Sequence, residues 1–218
     1  MKEARPLYSA ANRRRCQPMK LVIVGASALG RETCKYAQDC GIEVRGFLDS
    51  RIHLLDGVAG YPPILGAVED YVVKPDDVFV CAVGEPEPKR KYVRMLPMAK
   101  WISIIHPTAF IGTNARIGNG CIIRPFALIG NDAVVGNHVT IGVHSQIAHD
   151  CEIGDYVSIS PGCHVAGWCK IHDDVFAGVG ATVIPHVELG NGVYLAAGAV
   201  VTKSCSTGRL MGVPARIK

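Results

Sequence analysis

At 218 residues the chain is long enough for two modest domains, and a 49% hydrophobic composition allows a sizeable core. The formal net charge of +4 sits entirely in residues 1–18, where Lys2, Arg5, Arg13, Arg14 and Arg15 face only Glu3. A neutral remainder argues against a nucleic-acid partner, and the absence of a bilayer-length apolar run or a signal-peptide core predicts a soluble cytoplasmic protein with no membrane partner.

Residues 1–18 read as a flexible extension, because Met19-Lys20 opens the first clear strand. Lys20–Gly25, with its apolar run Leu21–Val24, reads as a buried parallel strand. Gly25-Ala-Ser-Ala-Leu-Gly30 follows, then a helix over Arg31–Cys40 stopped by Gly41. A second strand, Ile42–Leu48, ends in Asp49. Strand, glycine loop, helix, strand and acid make the start of a Rossmann-like unit, although the loop lacks a full G-x-G-x-x-G. Further strands are expected at Gly60–Leu65 and Asp77–Val83, a helix over Pro88–Met98, and a strand over Trp101–Ile105. This α/β domain spans residues 19–104, and its ligand belongs at the carboxyl ends of its strands: Gly25, Ala26 and Ser27, then Asp49, then Gly84 to Lys89.

From Ile105 to Ser206 the chain repeats every six residues without a slip in register. Of 17 blocks, 16 begin with Ile, Val or Leu, and only Ala177 departs. The fifth position is always Ala, Val, Cys or Ser, and the second is Gly in eight blocks. Such a period fits neither an amphipathic helix nor an alternating strand; it is the signature of a parallel β-helix. Three blocks make one triangular coil, and coils stack at about 4.8 Å. The first position points into the prism, the fifth fills the cramped space near a corner, and Gly and Asn supply the positive φ that corners need. Residues 207–218 form a tail in which a helix or loop caps the open end. Five of the nine cysteines (Cys121, Cys151, Cys163, Cys169 and Cys205) occupy the small fifth position and read as packing residues. With no C-x-x-C pair, neither a metal nor a disulfide is expected.

Seven of the eight histidines lie in the repeat, and two precede an acid: His149-Asp150 and His172-Asp173. His149 takes the third position of its block, by a corner, where a side chain can leave the prism. His172 takes the second, where small residues prevail. An exposed imidazole with a carboxylate partner can take a proton from an amine or hydroxyl during acyl transfer.

The unbroken hexads, the closing Gly212-Val-Pro-Ala-Arg216 and the segment His144-Ser-Gln-Ile-Ala-His149-Asp150-Cys-Glu-Ile-Gly154 resemble those of the hexapeptide-repeat acyltransferases. With the Rossmann-like half, the chain is similar to the bacterial sugar acetyltransferases, the subgroup of sialic acid O-acetyltransferases and bacillosamine and perosamine N-acetyltransferases. The resemblance implies a left-handed β-helix, a homotrimer with active sites between subunits, and acetyl-CoA as co-substrate. It implies backbone contacts to acetyl-CoA at Gly167, Val179 and Ala197. His149 is then the general base and Asp150 its partner. The nucleotide of a nucleotide-linked amino sugar falls to Gly25, Ala26, Ser27 and Asp49, with Lys89 where the family commonly has Arg. Leu29 stands where its glycine loop usually carries a His. The leading expectation is N-acetylation of a nucleotide-linked 4-amino-4,6-dideoxy sugar by direct attack, in surface-glycan biosynthesis. O-acetylation of sialic acid or another sugar hydroxyl, a non-catalytic structural β-helix and a His-ligated zinc site remain as alternatives.

Overall fold

A computed structural model describes residues 19–217, so the expected flexible extension lies outside the described residues. The N-terminal half contains strand β1 (Lys20–Val24), helix α1 (Ala28–Asp39), β2 (Val44–Leu48), β3 (Ile64–Gly66), β4 (Asp77–Cys81) and helix α2 (Pro86–Met95). The four strands form one parallel sheet in the order β3-β2-β1-β4. Leu21 and Ile23 of β1 pack with α1 residues Cys34 and Ala37 on one side; Val22 and Val24 pack with Val93 and Leu96 on the other. Burial on both faces is why this strand reads as an unbroken apolar run. Both helices start earlier than the sequence reading places them. The helix α1 begins directly after Ser27, and Pro86 opens α2 at its first turn, where a missing N–H costs nothing. The expected strand at Trp101–Ile105 reduces to Ile104–Ile105 plus one parallel bridge from Trp101 to Phe79.

From Ile104 to Val201 the chain is a left-handed parallel β-helix of two-residue rungs. Each rung pairs with the rung 18 residues on, as Ile141 does with Ile159, so three parallel sheets close a prism. First-position side chains from Ile123 to Val201 are buried inside it, and burying each Ile, Val or Leu among them contributes roughly 1.5–3 kcal/mol. Second-position glycines are steric necessities: a Cβ on Gly142 would lie 2.5 Å from the backbone of Ser160. Buried thiols of Cys121, Cys151, Cys163 and Cys169 each donate to a carbonyl 15 residues ahead, at 3.0–3.1 Å. The corners correct one expectation. From Asn114 to Gly198 positive φ falls on the fourth position of each block whatever residue is there, including Phe126 (58°), Tyr156 (60°) and Trp168 (56°). Aromatic side chains are accommodated because they stack coil on coil: Phe126 on His144, His138 on Tyr156 and Trp168 on His186, each pair 5.0 Å apart. The tail is likewise a strand rather than a helix or loop: Arg209–Met211 extends one sheet in parallel and pairs antiparallel with Arg216–Ile217.

The prism therefore has three outer faces. One carries Ile104, Ile122, Thr140 and Ser158 and receives the N-terminal domain. Helix α1 docks through Tyr36 edge-on to His106 and Glu32 paired with Arg124; α2 docks through Arg90, which grips Asp174 with two nitrogens and lies 4.1 Å over the Tyr156 ring. The second face presents Phe110, Leu128, Gln146, His164, Thr182 and Val200, with no Lys, Arg, Asp or Glu among them. The third presents Arg116, Val134, Glu152, Lys170 and Glu188. Among the described residues no helix is long and apolar enough to cross a membrane.

Candidate active site

His149 stands on the corner between the uncharged face (rung Gln146–Ile147) and the charged face (rung Glu152–Ile153). Its Nδ1 meets Asp150 Oδ2 at 2.8 Å, and both side chains are about half exposed, at 48% and 43%. Asp150 occupies the positive-φ corner position, and its N–H donates to Asn131 O one coil below, so the carboxylate is set by the backbone. With Nδ1–H donating to the carboxylate, Nε2 is left free to accept a proton.

Gly167, one coil ahead, flanks the ring. A Cβ there would lie 2.7 Å from the imidazole Cε1 and 2.8 Å from Nε2. Gly167→Ala should therefore displace the ring and, with His149 in the role of base proposed below, lower kcat by roughly 10–100-fold with thermal stability nearly unchanged, since a 1 Å misplacement of a reacting group carries a penalty of that order. Steady-state kinetics beside a melting curve checks it, and an unaltered kcat contradicts the geometry. At the second His-Asp pair, Asp173 turns its carboxylate to the Asp155 N–H, and His172 Nε2 meets Glu188 at 2.6 Å instead. The imidazole–adjacent acid bond thus forms at His149, not at His172.

Val179 and Ala197 are exposed and stacked one coil apart, with Val143 and Pro161 on the same corner. That corner is the opposite edge of the uncharged face from His149. Within one chain, then, Gly167 lies beside His149, whereas Val179 and Ala197 do not.

In the N-terminal domain, Gly25, Ala26, Ser27 and Asp49 gather at the carboxyl ends of β1 and β2. Gly25 has φ +97°, and a Cβ on Gly30 would lie 1.9 Å from Gly25 O, so both loop glycines are required where the full fingerprint is missing. Asp49 is nearly buried, and the Ala26 N–H donates to its Oδ2 at 3.0 Å. Burial alone would raise its pKa, but hydrogen bonds from the Arg51 side chain, the Ala26 N–H and the Arg51 N–H hold it at about 2. The carboxylate therefore ties the glycine loop to the end of β2 and is matched by Arg51, whose own side chain is 60% exposed. Arg51 is a cation at this mouth that the sequence reading passes over; its position two residues beyond the strand-end acid is the available signal.

Lys89 corrects the sequence reading. It is fully buried, and its ammonium points into the solenoid, donating to His138 O, Thr140 Oγ1 and Ser158 Oγ at 3.2, 3.1 and 2.8 Å. Its side chain is spent on these solenoid partners and offers no exposed atom to a nucleotide. Burial pushes its pKa from 10.5 down to about 8. Beside it, His138 is buried with Nδ1 unpartnered; burial and then the Lys89 charge lower its pKa to about 4. The two candidate regions are separate within one chain, since the N-terminal domain covers the face across the prism from the His149 corner.

Two families match the chain: the PglD N-terminal domain over residues 20–96, and the bacterial transferase hexapeptide (six repeats) over 132–167 and 169–203. No curated protein matches it. Among solved structures, the acetyltransferase domain of PglB from Neisseria gonorrhoeae FA1090 in complex with acetyl coenzyme A is 27% identical, with TM-score 0.85 over 93% of this chain and 100% of that one. WeeI from Acinetobacter baumannii AYE is 27% identical, with TM-score 0.83 over 92% and 100%. PerB from Caulobacter crescentus, in complex with CoA and GDP-perosamine, is 25% identical, with TM-score 0.84 over 91% and 97%.

Proposed function

The chain is a hexapeptide-repeat, acetyl-CoA-dependent sugar acetyltransferase with a PglD-type N-terminal domain, and from that premise we propose that it acetylates the amino group of a nucleotide-linked 4-amino-4,6-dideoxy sugar with His149 as general base. The observation that carries this is the His149 ring, held by Asp150 through Nδ1 and seated over Gly167 with Nε2 free. Bound acetyl-CoA supplies the activated acetyl group. Nε2 accepts the proton of the acceptor amine as its nitrogen bonds to the acetyl carbon, Asp150 stabilises the imidazolium that results, and that proton passes to the departing CoA sulfur as the C–S bond breaks. The residues suited to hold acetyl-CoA are Gly167 on one corner and Val179 and Ala197 on the other, where the neighbours are apolar.

Three features support a threefold assembly with active sites between subunits. Among the described residues the uncharged face is left unoccupied, whereas the other two are docked or charged. Its two edges carry His149 with Gly167 and Val179 with Ala197, so turning it inward brings the first edge of one chain to the second edge of the next. The second edge also borders the face that bears the N-terminal domain, so a neighbour's Gly25–Ser27 loop and Asp49 approach this chain's His149. Arg51 then supplies the cation at the nucleotide pocket in place of the buried Lys89.

The test is a panel of nucleotide-linked amino sugars with acetyl-CoA, read as thiol release and product mass. Release is expected only with 4-amino-4,6-dideoxy acceptors, giving a hydroxylamine-stable amide. A hydroxylamine-labile ester, or release indifferent to acceptor, overturns the reading.

A further inference from the structure

Trp168 is one of two tryptophans in the chain, and it is 54% exposed. It occupies a corner position with φ 56°, a conformation that Gly or Asn adopts with less strain. One face of its indole is stacked on His186 at 5.0 Å and 5°. Its ring centre also lies 4.4 Å from that of His149, at 87°. The Trp168 backbone N–H donates to the His149 backbone O at 3.2 Å, which holds the two residues side by side.

We propose that the exposed indole of Trp168 is the platform on which the apolar face of the acceptor's sugar ring rests during transfer. This inference rests on the acetyltransferase reading above and names its acceptor subsite. Around the His149 corner the chain runs from the uncharged face through positions 149 and 150 to the charged face. Gly167 therefore stacks on the base one coil ahead, and Trp168, one position further along, lies beside it toward the charged face. The thioester belongs on the side of the uncharged face, which leaves the Trp168 side to the acceptor. A nucleophile within about 3 Å of Nε2 brings a pyranose ring within contact of an indole only 4.4 Å from the imidazole. A deoxy sugar offers C–H groups and a methyl to such a surface, and large rigid aromatic rings supply contact area at low entropic cost.

The experiment compares wild type with Trp168→Asn, which keeps a residue tolerant of positive φ, and Trp168→Phe, which keeps a ring. For an accepted nucleotide amino sugar, Trp168→Asn is expected to raise the acceptor KM about 10-fold and leave the acetyl-CoA KM unchanged, with Trp168→Phe near wild type. A rise in the acetyl-CoA KM, or no change in either, overturns the proposal. A second arm needs no turnover. Adding the nucleotide amino sugars alone should alter wild-type tryptophan emission, the matching free nucleotides should not, and the response should vanish in Trp168→Asn. If wild type acetylates nothing in the panel, the functional reading fails by itself; if emission also stays flat, the Trp168 platform fails with it.

Discussion

His149→Asn is expected to lower kcat by roughly 10²–10⁴-fold, the contribution of a positioned general base. Asn preserves polarity and approximate size but has no nitrogen that accepts a proton at neutral pH. The KM for acetyl-CoA should stay close to wild type, because the residues suited to hold that molecule act through the backbone or through small apolar side chains. The fold should survive, since the imidazole is half exposed and belongs to no core cluster. Asp150→Asn should produce a smaller loss, as the ring loses its charged partner at Nδ1 but keeps Nε2. The measurement is single-turnover acetyl transfer beside a melting curve. Residual turnover within a few-fold of wild type in His149→Asn removes it from the role of base.

Lys89→Ala is expected to destabilise the protein by roughly 2–5 kcal/mol, the range for truncating a long, fully buried side chain and leaving a cavity. The substitution strips Thr140, Ser158 and the His138 carbonyl of their shared donor and opens a void between α2 and the solenoid. Lys89→Met, which fills the stem without burying a charge, should stay close to wild type at neutral pH. Alkaline pH separates the cases. Burial lowers Lys89 from 10.5 to about 8, so between those values the unfolded chain binds the extra proton. Stability contributed through this group therefore rises with pH across that window, by on the order of 3 kcal/mol relative to Lys89→Met. The comparison must be differential. Burial raises the Cys81 and Cys121 thiols to about 12 and about 11, and these groups lose stability above the ordinary thiol range. Denaturant titrations of both proteins at pH 7.5 and 10 decide it. Parallel curves, with no gain of wild type over Lys89→Met, contradict a buried ammonium at this seam.

Much of the architecture is legible in order along the chain. A period of six specifies which side chains face the prism, because a rung and its corner are local structures whose contacts recur one coil away. The same spacing makes some of the site legible: Gly167 is 18 residues beyond His149, and the pairing of coils puts it under the ring. The corner aromatics escape such a reading because positive φ points to Gly or Asn by local preference, while stacking between coils outweighs that preference at Phe126, Tyr156 and Trp168. Asp49 was legible as a strand-end acid, yet its role in tying Ala26 depends on the distance between two strands.

The sequence by itself determined the solenoid, its inward-facing residues, the α/β unit before it and the His149-Asp150 pair, all of which follow from short-range period and adjacency. Only the tertiary structure decided which face of the prism the N-terminal domain covers, and with it where Lys89 points, which face is left uncharged and open, and that Trp168 stands beside the base. The reason is physical. A long side chain such as Lys89 reaches partners 49 to 69 residues away, and which of them it meets is set by the docking of two domains, a property carried by no single stretch of sequence.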